Sequence, residues 1–314
     1  MQYRRLGRTG LEVSLVGLGT GGPSMLGQQS GMAFEDQYRL IHGALDLGVN
    51  LFDTAAVYRD SEELLGRALA DVPRDQYVLA TKCSPFARDE AKSLIGAEEL
   101  VAQCDRSLTR LQVAYVDVYQ MHVIPPDRYE EVVEKLFPTL EALRSAGKIR
   151  FTGITEVFTV DPGHEMLVMA ARSGIWDTIM VKYGILNQDA EQDVLPLCIE
   201  NDIGVLDMAA VRVKLARQEE LKELVEDWTV RGMIAKDALP GDDPLGWLLD
   251  ENTESLTSAA YKFAAAHPAV SSVLSGTANL EHLKQNIDAM HGPSLPAEHM
   301  QRLRDVFGGV LEGV

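Results

Sequence analysis

Residues 50–66 read NLFDTAAVYRDSEELLG. The apolar run from Val49 to Phe52 has the length and character of a buried strand, and it closes on a carboxylate, Asp53. From about Asp60 to Ala70 the pattern turns amphipathic, so a helix follows, with Asp60 or Ser61 as its expected cap. Tyr58 stands in the loop between the two. A strand that hands over to a helix in this way is one unit of a parallel sheet.

The unit recurs on both sides. Leu15–Gly19 reads as a strand and Asp36–Leu47 as its helix, stopped at Gly48. Tyr77–Lys82 leads to a helix over Ala97–Leu111, and Val116–Met121 to one over Tyr129–Ser145 that Gly147 ends. Ile149–Ile154, Thr178–Tyr183 and Gly204–Met208 continue the series, with helices near residues 163–173 and 190–201, and Val270–Leu274 is the eighth strand. Eight strands alternating with helices imply closure, so the expected fold is α/β, a (β/α)8 or TIM barrel. An open doubly wound sheet in two halves is the competing architecture. It needs a linker or a composition break, and the sequence has neither, so residues 1–314 are read as one domain.

Two segments stand outside the repeat. Near the start, YRRLGRTGLEVS (residues 3–14) has two extended pieces around Arg8-Thr9-Gly10, which predicts a β-hairpin that plugs the N-terminal end of the barrel. Residues 214–258 are charged and irregular, helical over Gln218–Arg231, and include the turn sequence LPGDDPLG. This insertion, part of a C-terminal helical segment, is expected to lie over the active face or to pack outside it.

Lys and Arg number 29 against 47 Asp and Glu, and the resulting net charge of −18 is spread along the chain. Nucleic acid and anionic membrane surfaces need clustered cations, so neither is an expected partner. No apolar run approaches the roughly 20 residues of a membrane span, and the first residues carry no apolar stretch of signal-peptide length. Cys83, Cys104 and Cys198 are far apart, which gives no metal spacing and suits a reducing, cytoplasmic setting. A closed barrel hides its sheet edges, so a monomer or small homo-oligomer is expected.

Active sites on such barrels form where the C-terminal ends of the strands meet their loops. At those ends stand Asp53 with Tyr58 beyond it, Lys82, His122, Thr155 and Glu156, Lys182 and Tyr183, and Asp207. A phenol with a pKa of about 10 needs its anion stabilised before it can trade a proton at neutral pH. An ammonium at Lys82 would favour that anion, Asp53 would keep Lys82 charged and in place, and His122 would orient a carbonyl or hydroxyl. Taken singly, a loop tyrosine packs, a strand-end aspartate caps a helix, and a lone histidine or lysine is a satisfied polar group. Their coincidence at successive strands two, three and four argues for a proton-transfer device.

The ordered motifs GLGTGG, FDTAAVY…SEELLGRAL, VLATK, RSLTRLQVAYVDVYQMH, LEALRSAGKIRFTGIT and SSVLSGTANLEHLKQN resemble the aldo-keto reductase superfamily over nearly the whole chain. The resemblance implies a barrel that uses NADP or NAD without a Rossmann domain, a catalytic tetrad of Asp53, Tyr58, Lys82 and His122, and Tyr58 as general acid or base. It places Gly19, Thr20 and Gly21 near the cofactor, and Gly276, Thr277, His282, Gln285 and Asn286 on the adenosine-binding segment. Where the family carries Ser-Asn and Gln for the nicotinamide amide, this chain has Thr155, Glu156 and Met180; where it carries an aromatic residue and Ser-Pro-Leu, this chain has Met208 and Ala209–Val211. The sugar-oxidising, L-galactose dehydrogenase-like branch also lacks that Asn and Gln, and it has the Tyr-Gly pair found here at Tyr183–Gly184.

Arg212 and Lys214 are candidate partners for the cofactor phosphates. Glu156 and Asp207 are candidates for sugar hydroxyls or for pairing with Lys182 or Arg212, and no metal site is expected. Met25, Phe86 and Val123 are candidates to line the substrate cleft. The expected function is hydride transfer between a nicotinamide cofactor and a small aldehyde, ketone or sugar lactol. The rival is a cofactor-independent lyase or isomerase, or a non-catalytic sensor, on the same barrel.

Overall fold

The computed structural model describes residues 1–312. Strands β1 (Tyr3–Arg5) and β2 (Glu12–Ser14) pair antiparallel, with Arg4 opposite Val13. Then come β3 (Val16–Gly19), β4 (Leu51–Asp53), β5 (Val78–Cys83), β6 (Val116–Ile124), β7 (Ile149–Glu156), β8 (Thr178–Lys182), β9 (Gly204–Met208) and β10 (Val270–Ser275). These eight pair side by side, all parallel, and β10 closes onto β3, so the expected barrel is what the chain forms. Their apolar residues are in demand on both faces: one set packs on the surrounding helices, and the other fills the lumen.

The lumen decides where the site falls. Leu51, Val78, Ala80, Val118, Met180 and Leu206 form the inner cluster. Side chains alternate along a strand, so the residues two further on face the same way. Those residues are Asp53 after Leu51, Lys82 after Ala80, and Gln120 then His122 after Val118. The expected hairpin closes the opposite end, where Leu6 and Val13 join the inner cluster and are fully buried. Arg4 ties the plug down through the carbonyls of Ala265 at 2.8 Å and Val270 at 2.6 Å.

The outer layer is α1 (Phe34–Asp46), α2 (Ser61–Ala68), α3 (Ala97–Leu111), α4 (Tyr129–Ser145), α5 (Glu165–Ser173), α6 (Val194–Glu200), α7 (Gln218–Val230), α8 (Leu256–Ala266), α9 (Leu280–His291) and α10 (Ala297–Phe307). Neither expected cap of α2 acts as one: Asp60 makes no side-chain cap bond, and the Ser61 hydroxyl donates to the Thr20 carbonyl at 3.3 Å. The strand expected to end at Met121 runs on to Ile124, because one extra residue is accommodated between Met121 and Ile124 against β7. The irregular insertion does both things expected of it. Ala216 and Arg217 line the cavity at the C-terminal end of the barrel, and Trp228 of α7 packs on Phe307 of α10, ring centroids 6.1 Å apart. Among the described residues no helix is long and apolar enough to cross a membrane.

Candidate active site

Three strands bring the expected quartet to one place. Lys82 is 1% exposed, and its ammonium donates to Asp53 Oδ2 at 2.5 Å and to the Thr54 carbonyl at 2.9 Å. Its Nζ also lies 5.1 Å from the centre of the Tyr58 ring. Burial pulls the lysine pKa down, but Asp53 and then Tyr58 outweigh it and the pKa is raised. Burial pushes the Asp53 carboxyl up, against the pull of Lys82 and Gln120. The ammonium is therefore the firmly charged member of the pair. His122 meets the Tyr58 ring edge-on, with centroids 5.9 Å apart and planes at 82°. Burial, and then the Lys82 charge, lower its pKa to about 3, so the imidazole is neutral.

Gln120, Gln28 and Gly21 hold this arrangement. Gln120, fully buried on β6, donates to Asp53 Oδ1 at 3.1 Å and so fixes the carboxylate from the side opposite Lys82. Gln28 clamps the loop that carries Tyr58: its amide nitrogen donates to Ser61 Oγ at 2.8 Å, and its oxygen accepts from the Asp60 amide at 3.0 Å. Gly21 lies against the face of Tyr58. A Cβ there would stand 2.5 Å from the ring, so a side chain at Gly21 and the observed tyrosine position exclude each other. One sequence cue pointed to Gln120, a polar residue two positions before His122 on the inward face of the same strand. No pattern marks Gln28.

Beside Asp53 and Tyr58 opens a cavity of about 650 Å³. Gly19, Gly21, Met180, Met208, Arg212, Arg217 and Gly276 are among the residues that line it. Ser24 ties the first loop to the segment after β10 by donating to the Gly276 carbonyl at 2.9 Å. Arg212 donates to Asn187 Oδ1 at 3.1 Å. Arg217 takes the lining position for which Lys214 was a candidate. Thr20 is fully buried, its amide bonded to the Asp53 carbonyl at 2.9 Å. On the segment after β10, Asn286 is buried and donates to Ser275 Oγ at 3.0 Å, while His282 and Gln285 are exposed and the Thr277 hydroxyl accepts from the Asn279 amide.

The remaining strand-end groups are not among the residues that line this cavity. Thr155 Oγ1 accepts from the Val123 amide at 2.8 Å. Glu156 is 1% exposed and accepts from the Lys182 backbone amide at 2.7 Å and from His164 Nδ1 at 2.6 Å. Burial lowers the His164 pKa, but the hydrogen bond and charge of Glu156 outweigh it, and His164 is held above its usual value. Asp207 is fully buried and accepts from the Tyr183 amide at 3.1 Å; burial pushes its carboxyl well above the usual range. Lys182 lies over the Phe158 ring at 4.3 Å, and burial, then Arg212, bring its pKa down to about 7. Met25, Phe86 and Val123 lie outside the lining of the large cavity. Phe86 walls a separate cavity of about 410 Å³ beside α3, with the Arg128 guanidinium over its ring at 4.7 Å.

Comparison with known proteins agrees with this geometry. The chain matches the aldo/keto reductase family over residues 16–307. It is 30% identical over 304 residues to L-galactose dehydrogenase of Arabidopsis thaliana, covering 92% of this chain and 88% of that one. It is 28% identical over 325 residues to the NADH-specific methylglyoxal reductase of Escherichia coli (strain K12), covering 91% and 92%. An aldo-keto reductase from Bacillus halodurans, in its holo form, superimposes with a TM-score of 0.75 at 25% identity over 99% of this chain and 98% of that one. The chain is thus an oxidoreductase that belongs to the aldo/keto reductase family.

Proposed function

We propose that this protein passes a hydride between NADP or NAD and the carbonyl carbon of a small aldehyde, ketone or sugar lactol, with Tyr58 as the general acid or base. The observation that supports it most is the buried Lys82 ammonium, held between Asp53 and Tyr58 with a neutral imidazole at the edge of the same ring.

The residues present suit a dinucleotide. In a chain of net charge −18, two arginines, Arg212 and Arg217, are among the residues that line the cavity, and a diphosphate there would find its countercharge at Arg212 and, on exchange of its present partner Glu220 at 2.6 Å, at Arg217. The backbone at Gly22 is open, since a Cβ there would meet nothing within 4 Å. Met180 and Met208, both in the lining, offer soft apolar surface to a flat ring. Bound there, the dinucleotide would supply or accept the hydride. The protein's own residues do the rest. Tyr58 gives its hydroxyl proton to the substrate oxygen as that oxygen gains charge, or takes it back in the reverse direction. The charge left on the phenol oxygen lies beside Lys82, which Asp53 and Gln120 hold in place. His122 orients the reacting oxygen through a neutral N–H.

Similarity to an L-galactose dehydrogenase and a methylglyoxal reductase puts sugar lactols and small α-oxo aldehydes first among substrates to test. Titration with NADPH and NADH should shift the cofactor emission, and one of these compounds should then change the absorbance of the nicotinamide. A protein that binds neither nucleotide at millimolar concentration is not this enzyme. Tyr58→Phe should bind cofactor as the wild type does while losing on the order of 10²- to 10⁴-fold in turnover.

A further inference from the structure

Strand β6 carries one residue more than β7 at the mouth of the barrel. Met121 pairs with Ile154 and Ile124 with Glu156, so His122 and Val123 together face Thr155 alone. Such a bulge re-aims a side chain and takes one amide out of the ladder. Val123 pays in conformation: its φ is 56°, a left-handed value that a β-branched residue holds only under constraint. Its side chain is 41% exposed, so packing of that side chain does not supply the constraint. The displaced amide donates instead to Thr155 Oγ1 at 2.8 Å, and Thr155 is 1% exposed. The residue just before this pinned amide is His122, whose ring meets Tyr58 edge-on.

We propose that Thr155 is a positioning residue for His122: its hydroxyl pins the β6 bulge, and this service to the protein's own backbone, not a contact with the nicotinamide amide, is its role. The proposal rests on the oxidoreductase reading for the role of His122, and it reassigns the residue that occupies the family's amide-binding position. Glu156, next along the strand, is likewise engaged by backbone, through the Lys182 amide.

The test compares Thr155→Val, Thr155→Ala and Thr155→Ser with the wild type in two ways. In cofactor-free protein labelled at histidine, the His122 imidazole resonance, identified by its loss in His122→Asn, reports the ring's surroundings. Turnover and the NADPH dissociation constant are then measured separately. The proposal expects the resonance to move in Thr155→Val and Thr155→Ala and to return in Thr155→Ser. Turnover should fall on the order of 10²-fold in the first two, while the dissociation constant stays within about twofold. A resonance that stays in place in both variants, or a dissociation constant that rises about tenfold while turnover holds, overturns it. A wild type that neither binds nor uses NADPH or NADH refutes the hydride-transfer reading instead, and the imidazole resonance still decides what Thr155 holds.

Discussion

The chemistry of this protein turns on how few atoms stand between a working and an idle Tyr58. Gly21 leaves room for the ring and nothing more, since a Cβ at that position would stand 2.5 Å from Cε2 and 2.6 Å from Cζ. Gly21→Ala is expected to displace the phenol and cut turnover on the order of 10²-fold while leaving the melting temperature near that of the wild type. Unchanged turnover would mean that the loop, not the glycine, sets the ring position. His122 gives a second prediction. Its pKa is about 3 in the folded chain against the usual 6.5, so the unfolded chain binds the extra proton first as pH falls. The stability that its neutral form contributes is complete above pH 6.5 and is lost progressively between there and pH 3. By pH 4.5 the loss is on the order of 2 kcal/mol. Denaturation at pH 7 and at pH 4.5 should show the drop in the wild type and a smaller one in His122→Asn; equal drops would contradict the assignment. The quartet was legible in the sequence because Asp53, Lys82 and His122 are polar residues where apolar strands end and Tyr58 stands in the loop just beyond the first of them. Gln28 was not, since a loop glutamine carries no periodic mark, and the resemblance marks Gly21 for the cofactor, not for its contact with the Tyr58 ring.

At the level of elements, period-two alternation is what carries residues to the site. Leu51, Ala80 and Val118 fill the lumen, and the inward positions beyond them are Asp53, Lys82, Gln120 and His122. The strands were readable from sequence as short apolar runs, but such runs could not show the extra residue at His122–Val123, because VYQMHVI continues as a plain strand pattern across the bulge. Helix α8 was missed for the opposite reason. Residues Ala259 to Ala265 are buried without a break, so its sequence shows no polar face and no helical period. The hairpin plug was read correctly from its turn, and its energetic weight can be measured. Leu6 is fully buried and packs against Gly204, where a Cβ would stand 2.7 Å from the leucine. Leu6→Ala should cost about 2–5 kcal/mol in denaturant unfolding while leaving cofactor affinity nearly unchanged, because the plug lies at the end of the barrel away from Tyr58. A cost below about 1 kcal/mol would show that the hairpin merely rests on the barrel.

The whole molecule is a scaffold that collects side chains from distant parts of the chain onto one face. Asp53 and Lys82 are 29 residues apart, and Asp53 and Gln120 are 67 apart, yet each pair is in hydrogen-bond contact. Residues so far apart act together only if the barrel closes in the observed order, and closure is also what leaves no sheet edge to pair. The segment after β9 then brings Arg212 and Arg217 into the lining of the same cavity; the sequence singles out Arg212 but not Arg217, since several positions of that segment carry cations. The central claim is that Tyr58 and Lys82, from different βα units, form one proton-transfer device. A double-mutant cycle on turnover, with Tyr58→Phe, Lys82→Met and the pair combined, tests it most directly. The account predicts that each single change costs on the order of 10²- to 10⁴-fold and that the double variant is no slower than the worse single one. Losses that multiply in full, or a Tyr58→Phe variant that turns over as fast as the wild type, would contradict it.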